Sequence, residues 1–255
     1  MRVRSIILLF VACLCACLSA QAQDTLRVLC IGNSFTYVDS TQAKLRSLAA
    51  AEGHTLLINT QTQGGYTFQK HLRRDQTLSA IIYYTYDVAF LQDQSFTPAL
   101  YAQNPRNGHV ILDDAKELAA RIRFYSPSVR LILEQTWAYE SKDYAHFGSY
   151  EVFDQFLAKG TKQIAQGINA DVSPIGEAFR LCRELHPEID LYQKDRQHQS
   201  AYGAYLKACV NYQMLYHTPF TAEENCGLDA DKCAKLRRLA ETLFTKYLTL
   251  NTRHQ

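Results

Sequence analysis

Short apolar runs alternate along the chain with longer segments whose apolar residues recur at helical spacing. A nearly continuous apolar run is typical of a strand that is buried on both faces of a sheet. Segments of this kind, some with a weaker pattern, are predicted as strands: 27–31, 55–59, 88–91, 129–133 and 171–175. Because Pro174 lacks a backbone N–H, it places the last of these strands near an edge of the sheet.

The segments between the strands predict amphipathic helices, several of them bounded by capping residues or glycine. The predicted helices are 39–51, 113–124, 150–166, 200–215 and 229–248. Strands that alternate with helices favour an α/β fold in which helices cover both faces of a parallel sheet, a three-layer α/β/α sandwich. No repeat or linker interrupts this pattern, so residues 23–255 are predicted to form a single domain.

The amino terminus has the pattern of a secretory signal peptide. A basic start precedes an apolar stretch over 6–18, and Ala20-Gln21-Ala22 supplies a small-x-small cleavage site. We therefore expect residues 1–22 to be removed and the protein to be exported to the periplasm or the extracellular space. A lipoprotein signal, with Cys17 as the lipid-attachment residue, is the alternative. The apolar stretch is too short for a comfortable bilayer span, and no other segment predicts a membrane crossing.

Composition excludes several partners. The formal net charge is only +2, and no basic run interleaves with aromatic residues, so nucleic acid is not a predicted partner. The cysteines and histidines lack the spacing of a zinc site, so no metal is predicted either. Cys226 and Cys233 flank a short polar loop and could form a disulfide in an oxidising compartment. The sequence predicts no particular oligomeric state.

A hydroxyl, an imidazole and a carboxylate occur where the predicted fold would expose them. Ser34 lies directly after the first predicted strand, and Asp195 and His198 lie in the loop before the helix predicted over 200–215. Ligands of open parallel sheets bind beyond the carboxyl ends of the strands. A carboxylate three positions from an imidazole can hold one ring nitrogen and leave the other to accept a serine proton. Each residue alone also fits a turn or a cap, but together they predict a nucleophilic triad.

Acyl transfer also needs hydrogen-bond donors that face the oxyanion. Gly64-Gly65 follows the second strand, and a glycine there lets a backbone N–H approach a substrate, although a plain turn uses the same residues. Gln92 and Gln94 follow the third strand on one face of an extended chain, so either amide is a candidate donor. Asp93, which lies between them, is predicted to be solvated.

Two further side chains are candidates for the substrate pocket. His71 follows Gly65 closely and could line the pocket. Trp137 follows the fourth predicted strand, and its ring either stacks on a sugar or covers the core.

These segments resemble the sequence blocks of the SGNH (GDSL-like) hydrolases, which are esterases and lipases with a flavodoxin-like sheet. Gly32-Asn33-Ser34 is similar to the first block, with Asn33 where aspartate is usual, and Gly65-Tyr66-Thr67 is similar to the second. Asp195-Arg196-Gln197-His198 is similar to the last block. The third block differs, because Gln94 stands where the family has an oxyanion asparagine. The resemblance covers nearly the whole mature chain.

The resemblance implies an exported serine esterase that needs no cofactor. Its catalytic residues would be Ser34, His198 and Asp195, and its oxyanion hole would combine the N–H groups of Ser34 and Gly65 with the Gln94 amide. Export, an aromatic rim and a glutamine reminiscent of the carbohydrate acetylesterases favour a small acyl ester, such as acetyl on a carbohydrate. The alternatives are a non-catalytic glycan-binding protein on the same scaffold, or a lipase or thioesterase.

Overall fold

The computed structural model of this protein describes residues 25–106, 108–140 and 147–251. The five strands of the sheet are β1 (Thr25–Gly32), β2 (Thr55–Thr62), β3 (Val88–Leu91), β4 (Arg130–Glu134) and β5 (Asp171–Ser173). They pair in the order β2-β1-β3-β4-β5, and every pairing is parallel. This is the flavodoxin-like strand order, so the predicted fold class is confirmed, and β5 lies at an edge as Pro174 predicted.

Helices and one short 3₁₀ segment, Val38–Ser40, connect the strands. The helices are α1 (Ser34–Tyr37), α2 (Thr41–Ala51), α3 (Phe68–His71), α4 (Asp75–Tyr83), α5 (Thr97–Gln103), α6 (His109–Tyr125), α7 (Tyr150–Gly167), α8 (Ile175–Leu185), α9 (Ala201–Tyr216) and α10 (Ala230–Asn251). No described helix is long and apolar enough to cross a membrane. The predicted signal peptide, 1–22, lies outside the described residues.

Side chains of the central strands alternate between two apolar layers. Val28 and Cys30 of β1 belong to one buried cluster, which includes residues of α2, α9 and α10. Leu29 and Ile31 belong to a second cluster, which includes residues of α4 and α6. Because successive side chains of a strand point to opposite faces, a continuous apolar run in β1 requires helices on both sides. The described sheet therefore has the three layers that the sequence predicted.

The structure corrects the predicted boundaries in several places. Helices α1, α3, α4, α5 and α8 were not predicted, and β2 continues to Thr62 rather than ending at 59. Residues 60–62 at the end of β2 are polar and only partly buried. This is expected because β2 is an edge strand, which pairs with β1 alone. Every described cysteine, including Cys226 and Cys233, has a free thiol.

Candidate active site

Ser34 lies at the carboxyl end of β1 and begins the short helix α1. The turn is held by Asn33, whose side-chain oxygen caps α1 by accepting from the Phe35 N–H at 3.0 Å. The amide nitrogen of Asn33 donates to the Tyr66 carbonyl at 3.4 Å, across to the loop that follows β2. Asn33 therefore joins the ends of two neighbouring strands.

The structure brings Ser34, His198 and Asp195 together across the fold. Nε2 of His198 lies 2.8 Å from Oγ of Ser34, although 164 positions separate the two residues. Nδ1 of His198 lies 2.6 Å from Oδ2 of Asp195. Because an ionised carboxylate only accepts hydrogen bonds, Nδ1 carries the proton and Nε2 is left to accept from the serine hydroxyl. This is the arrangement that general-base activation of a serine requires.

Asp195 is held as a carboxylate by several donors. Burial by itself would raise its pKa, but the His198 side chain and the N–H groups of Gln197 and His198 hold the pKa of Asp195 below its usual range. Both N–H groups donate to Oδ1 at 3.0 Å, while Oδ2 faces the imidazole. The same carboxylate thus shapes its loop and orients the ring.

Two backbone N–H groups near Ser34 are available for an oxyanion. The turn over 63–66 is closed by a hydrogen bond from the Tyr66 N–H to the Gln63 carbonyl, and Gly65 has φ +67°, which favours glycine. The Gln63 N–H donates to the Gly32 carbonyl at 3.3 Å, which places this turn beside Ser34. Within the described part of the chain, no acceptor is found for the N–H of Ser34 or of Gly65.

The side chain of Gln94 is half-buried and folds over its own turn. Its Oε1 accepts from the Phe96 N–H at 3.1 Å, and its Nε2 donates to Oγ of Ser95 at 3.3 Å. An amide nitrogen carries two hydrogens, so one donor of Gln94 is left for another acceptor.

Comparisons with known proteins place this arrangement on a known fold. No protein-family model matches the sequence, and no curated protein matches it. Among solved structures, a DUF4886 family protein from Bacteroides uniformis has a TM-score of 0.75 and 21% identity, over 86% of this chain and 94% of that chain. A structure described as a GDSL-like lipase, from Parabacteroides merdae, has a TM-score of 0.56 and 17% identity, over 74% of this chain and 94% of that chain.

An acetylxylan esterase from Geobacillus stearothermophilus resembles this chain about as closely as the GDSL-like lipase does. Its TM-score is 0.53 at 18% identity, over 75% of this chain and 94% of that chain. This chain has the fold of the GDSL-like hydrolases. At these identities the likeness establishes the fold alone.

The GDSL-like fold buries three side chains that the sequence predicted to contact substrate. Gln92, His71 and Trp137 are each at most 1% exposed. Gln92 accepts at Oε1 from the Asn33 N–H and from the Thr36 hydroxyl, and its Nε2 donates to the Asp93 carbonyl. Position 32 must be glycine, because a Cβ there would overlap the Thr36 hydroxyl and the Gln92 side-chain oxygen. Gln92 therefore supports the Ser34 turn and does not face a substrate.

His71 and Trp137 also support the site from behind. Burial lowers the pKa of His71 to about 4, so its ring is neutral; Nε2 donates to the Gly32 carbonyl and Nδ1 accepts from Thr77, both at 3.0 Å. Trp137 is stacked between Phe35 and Phe179, with ring centroids 4.3 Å apart on each side. Its indole N–H donates to the Gln197 carbonyl, in the His198 loop, at 3.1 Å. Of the two interpretations of Trp137, the structure favours a core residue.

Asp93 has a structural role that the sequence did not predict. It is buried rather than solvated, and its Oδ1 accepts from the N–H groups of Phe68 and Gln94 at 2.9 and 2.7 Å. The carboxylate thus ties the loop that contains Gly65 to the loop that contains Gln94. Burial raises the pKa of Asp93 to about 7, with a smaller contribution in the same direction from Asp114. The only sequence signal was an acidic residue directly after a buried strand.

We expect Asp93→Asn to stabilise the protein more at high pH than at low pH. The folded-state pKa is raised above the unfolded value, so the wild type loses stability as pH rises from about 4 through about 7. Asparagine keeps the acceptor oxygen and cannot ionise. The free energy of unfolding of the variant minus that of wild type should be about 2–3 kcal/mol larger at pH 8 than at pH 5, which means a more stable variant at the higher pH. Urea denaturation at both pH values measures this, and an equal difference at the two would contradict it.

Proposed function

We propose that this protein is an exported serine esterase that hydrolyses short acyl esters, with acetyl groups on carbohydrate as the substrate class. The observation that carries the proposal is the 2.8 Å distance between Oγ of Ser34 and Nε2 of His198, with Asp195 on the opposite side of the imidazole. The fold supports a hydrolase, since a GDSL-like lipase and an acetylxylan esterase share it. Export rests on the signal-peptide pattern over 1–22.

In the first half of the proposed reaction, Nε2 of His198 takes the proton of Ser34 as Oγ attacks the ester carbonyl. The negative charge that develops on the carbonyl oxygen is stabilised by the N–H groups of Ser34 and Gly65 and by the free N–H of Gln94. The bond between the acyl carbon and the alcohol oxygen then breaks, and His198 returns the proton to the leaving oxygen. The acyl group remains on Ser34 and the alcohol departs.

In the second half, water replaces the alcohol. His198 again removes a proton, the hydroxide oxygen bonds to the acyl carbon, and Ser34 leaves with the proton that His198 carries. Asp195 stabilises the imidazolium in both halves. The products are a carboxylic acid and the free enzyme, and no cofactor enters the balance.

The polarity of the site entrance favours a short acyl group over a fatty chain. In the turn beside Ser34, Gln63, Gly64 and Gly65 are exposed and present no apolar side chain, and Tyr66 is half-buried. The neighbouring Tyr37 is 42% exposed, and it is its hydroxyl that faces Gly64. Gln94, the proposed third oxyanion donor, would add another polar side chain. A long acyl chain binds by burying its methylene groups against apolar protein surface, and each buried group contributes about 0.8 kcal/mol to binding. The described entrance therefore favours the acetylesterase hypothesis over the lipase hypothesis.

A panel of p-nitrophenyl esters tests the substrate class. We expect kcat/KM for the octanoate to be no higher than for the acetate, because the longer chain gains no burial and therefore no binding energy. Release of acetate from acetylated xylo-oligosaccharides should accompany this result. A preference for octanoate would favour a lipase instead, and binding to acetylated glycan without acetate release would favour the non-catalytic alternative.

A further inference from the structure

A buried ion pair lies directly behind the helix that carries Ser34. Nζ of Lys207, on α9, is 2.6 Å from Oε2 of Glu134, the last residue of β4. The two side chains are 1% and 3% exposed. The Lys207 ammonium also donates to the carbonyl oxygen of Phe35 at 3.0 Å. A charged group of α9 is therefore bonded to the residue next to Ser34.

Neighbouring polar groups hold this ion pair in one geometry. Asn211, one turn further along α9, donates to Oε1 of Glu134 at 2.7 Å and accepts from the hydroxyl of Ser173 at 2.8 Å. Gln199, the residue after His198, donates to the Phe35 carbonyl at 3.1 Å. The ends of β4 and β5, the middle of α9, the residue after His198 and the Ser34 helix are thus joined through one hydrogen-bonded network.

Stability does not account well for this ion pair. The free energy of removing two charges from water offsets much of their Coulombic attraction, so replacing a buried ion pair by apolar side chains is often neutral or stabilising. What the pair does supply is a directed bond to α1. A helix of four residues is too short to hold its own orientation. Donors to the Phe35 carbonyl therefore act together with the Asn33 cap and the Gln92 contacts to fix where the hydroxyl and the N–H of Ser34 point.

We propose that Lys207 is a positioning residue for Ser34, acting through the Phe35 carbonyl while Glu134 and Asn211 hold its ammonium in place. The inference rests on the proposed esterase function, because it concerns the alignment of the nucleophile and of one oxyanion donor. Lys207 does not touch the substrate in this role. Its loss should slow the chemical step without weakening substrate binding.

The test replaces both charges, so that neither is left buried alone. Lys207→Met combined with Glu134→Gln keeps an acceptor for Asn211 and removes the donor to Phe35. Each preparation is labelled to completion with a fluorophosphonate, which counts active sites, and acetate-ester kinetics are then expressed per labelled site. We expect kcat per labelled site to fall by about 10–100-fold with KM within about twofold of wild type.

Arg237→Met is the matched control. Arg237 is another buried cation, 8% exposed, that donates to a backbone carbonyl, that of Glu224, at 2.8 Å. Its loss should lower stability and the number of labelled sites, while kcat per labelled site stays at the wild-type value. This comparison separates a positioning effect from a loss of folded protein.

The outcomes distinguish the two proposals. If wild type is labelled and active, and the Lys207 and Glu134 double variant turns over at the wild-type rate per labelled site, the positioning role is overturned and the esterase stands. An unlabelled and inactive wild type overturns the esterase and, with it, this role of Lys207. Should the double variant fail to fold, Lys207→Met with Glu134→Met, which fills the same space with apolar side chains, gives the same comparison.

Discussion

Replacing Ser34 by alanine should lower kcat/KM for an acetate ester by at least about 10⁴-fold while leaving the fold intact. The change removes the atom that bonds to the acyl carbon, and nothing else at 2.8 Å from His198 Nε2 can replace it. The Ser34 side chain makes no other described hydrogen bond. We therefore expect the thermal midpoint to change by only a few degrees. Hydrolysis of p-nitrophenyl acetate and a thermal melt measure the two quantities.

A matched serine provides the control for this variant. Ser79 is exposed on α4 and has no part in the proposed site. Ser79→Ala should keep the wild-type rate and should still be labelled by a fluorophosphonate, whereas Ser34→Ala should not be labelled. A Ser34→Ala protein that retained most of its activity would remove Ser34 from the mechanism and end the esterase proposal.

Asp195→Asn should lower kcat by about 10³–10⁴-fold with little change in the structure of the loop. Asparagine keeps the oxygen that accepts from the Gln197 and His198 N–H groups, both at 3.0 Å. It loses the charge that stabilises the imidazolium, and its amide can donate to Nδ1. That donation would move the proton to Nε2, the tautomer that cannot accept from Ser34. Steady-state kinetics, with a crystal structure or NMR spectrum of the loop, would measure both effects.

Asp190→Asn is the corresponding control. Asp190 is a nearby exposed carboxylate that pairs with Arg196 at 2.8 Å and accepts from the Tyr192 N–H at 3.1 Å. Losing its charge should change kcat by less than about threefold, since an exposed ion pair contributes about 1 kcal/mol at most. If Asp190→Asn and Asp195→Asn slowed turnover equally, the effect would belong to loop structure and not to orientation of His198.

Side chains that carry the proposed chemistry could be predicted because their positions follow from local rules. A continuous apolar run marked β1, Gly32 marked its end, and a ligand of a parallel sheet binds beyond that end. That position made Ser34 a candidate, and its combination with Asp195 and His198 predicted a nucleophile. Asp195 and His198 were predictable as a pair, because a spacing of three lets a carboxylate reach the imidazole within one loop.

The supporting side chains were less predictable, because local sequence does not show which polar residues the fold will bury. Gln92, His71 and Trp137 follow strands or glycines just as pocket residues do, yet the helices that pack behind them remove them from the surface. Asp93 reads as a solvated acid, but the loop after β2 places the Phe68 N–H against it. These outcomes depend on contacts between segments that are far apart in the chain.

The sequence by itself determined the alternation of strands and helices and the parallel sheet. It also determined that a nucleophile would lie beyond the carboxyl ends of the strands. Those properties follow from periodicity and from residues that start or stop elements, and both act over a few positions. Only the tertiary structure decided that Ser34 meets His198 across 164 positions, and that Lys207 and Glu134 pair beneath them. Such contacts are set by how the layers pack, because packing selects among many polar side chains the few that face one another.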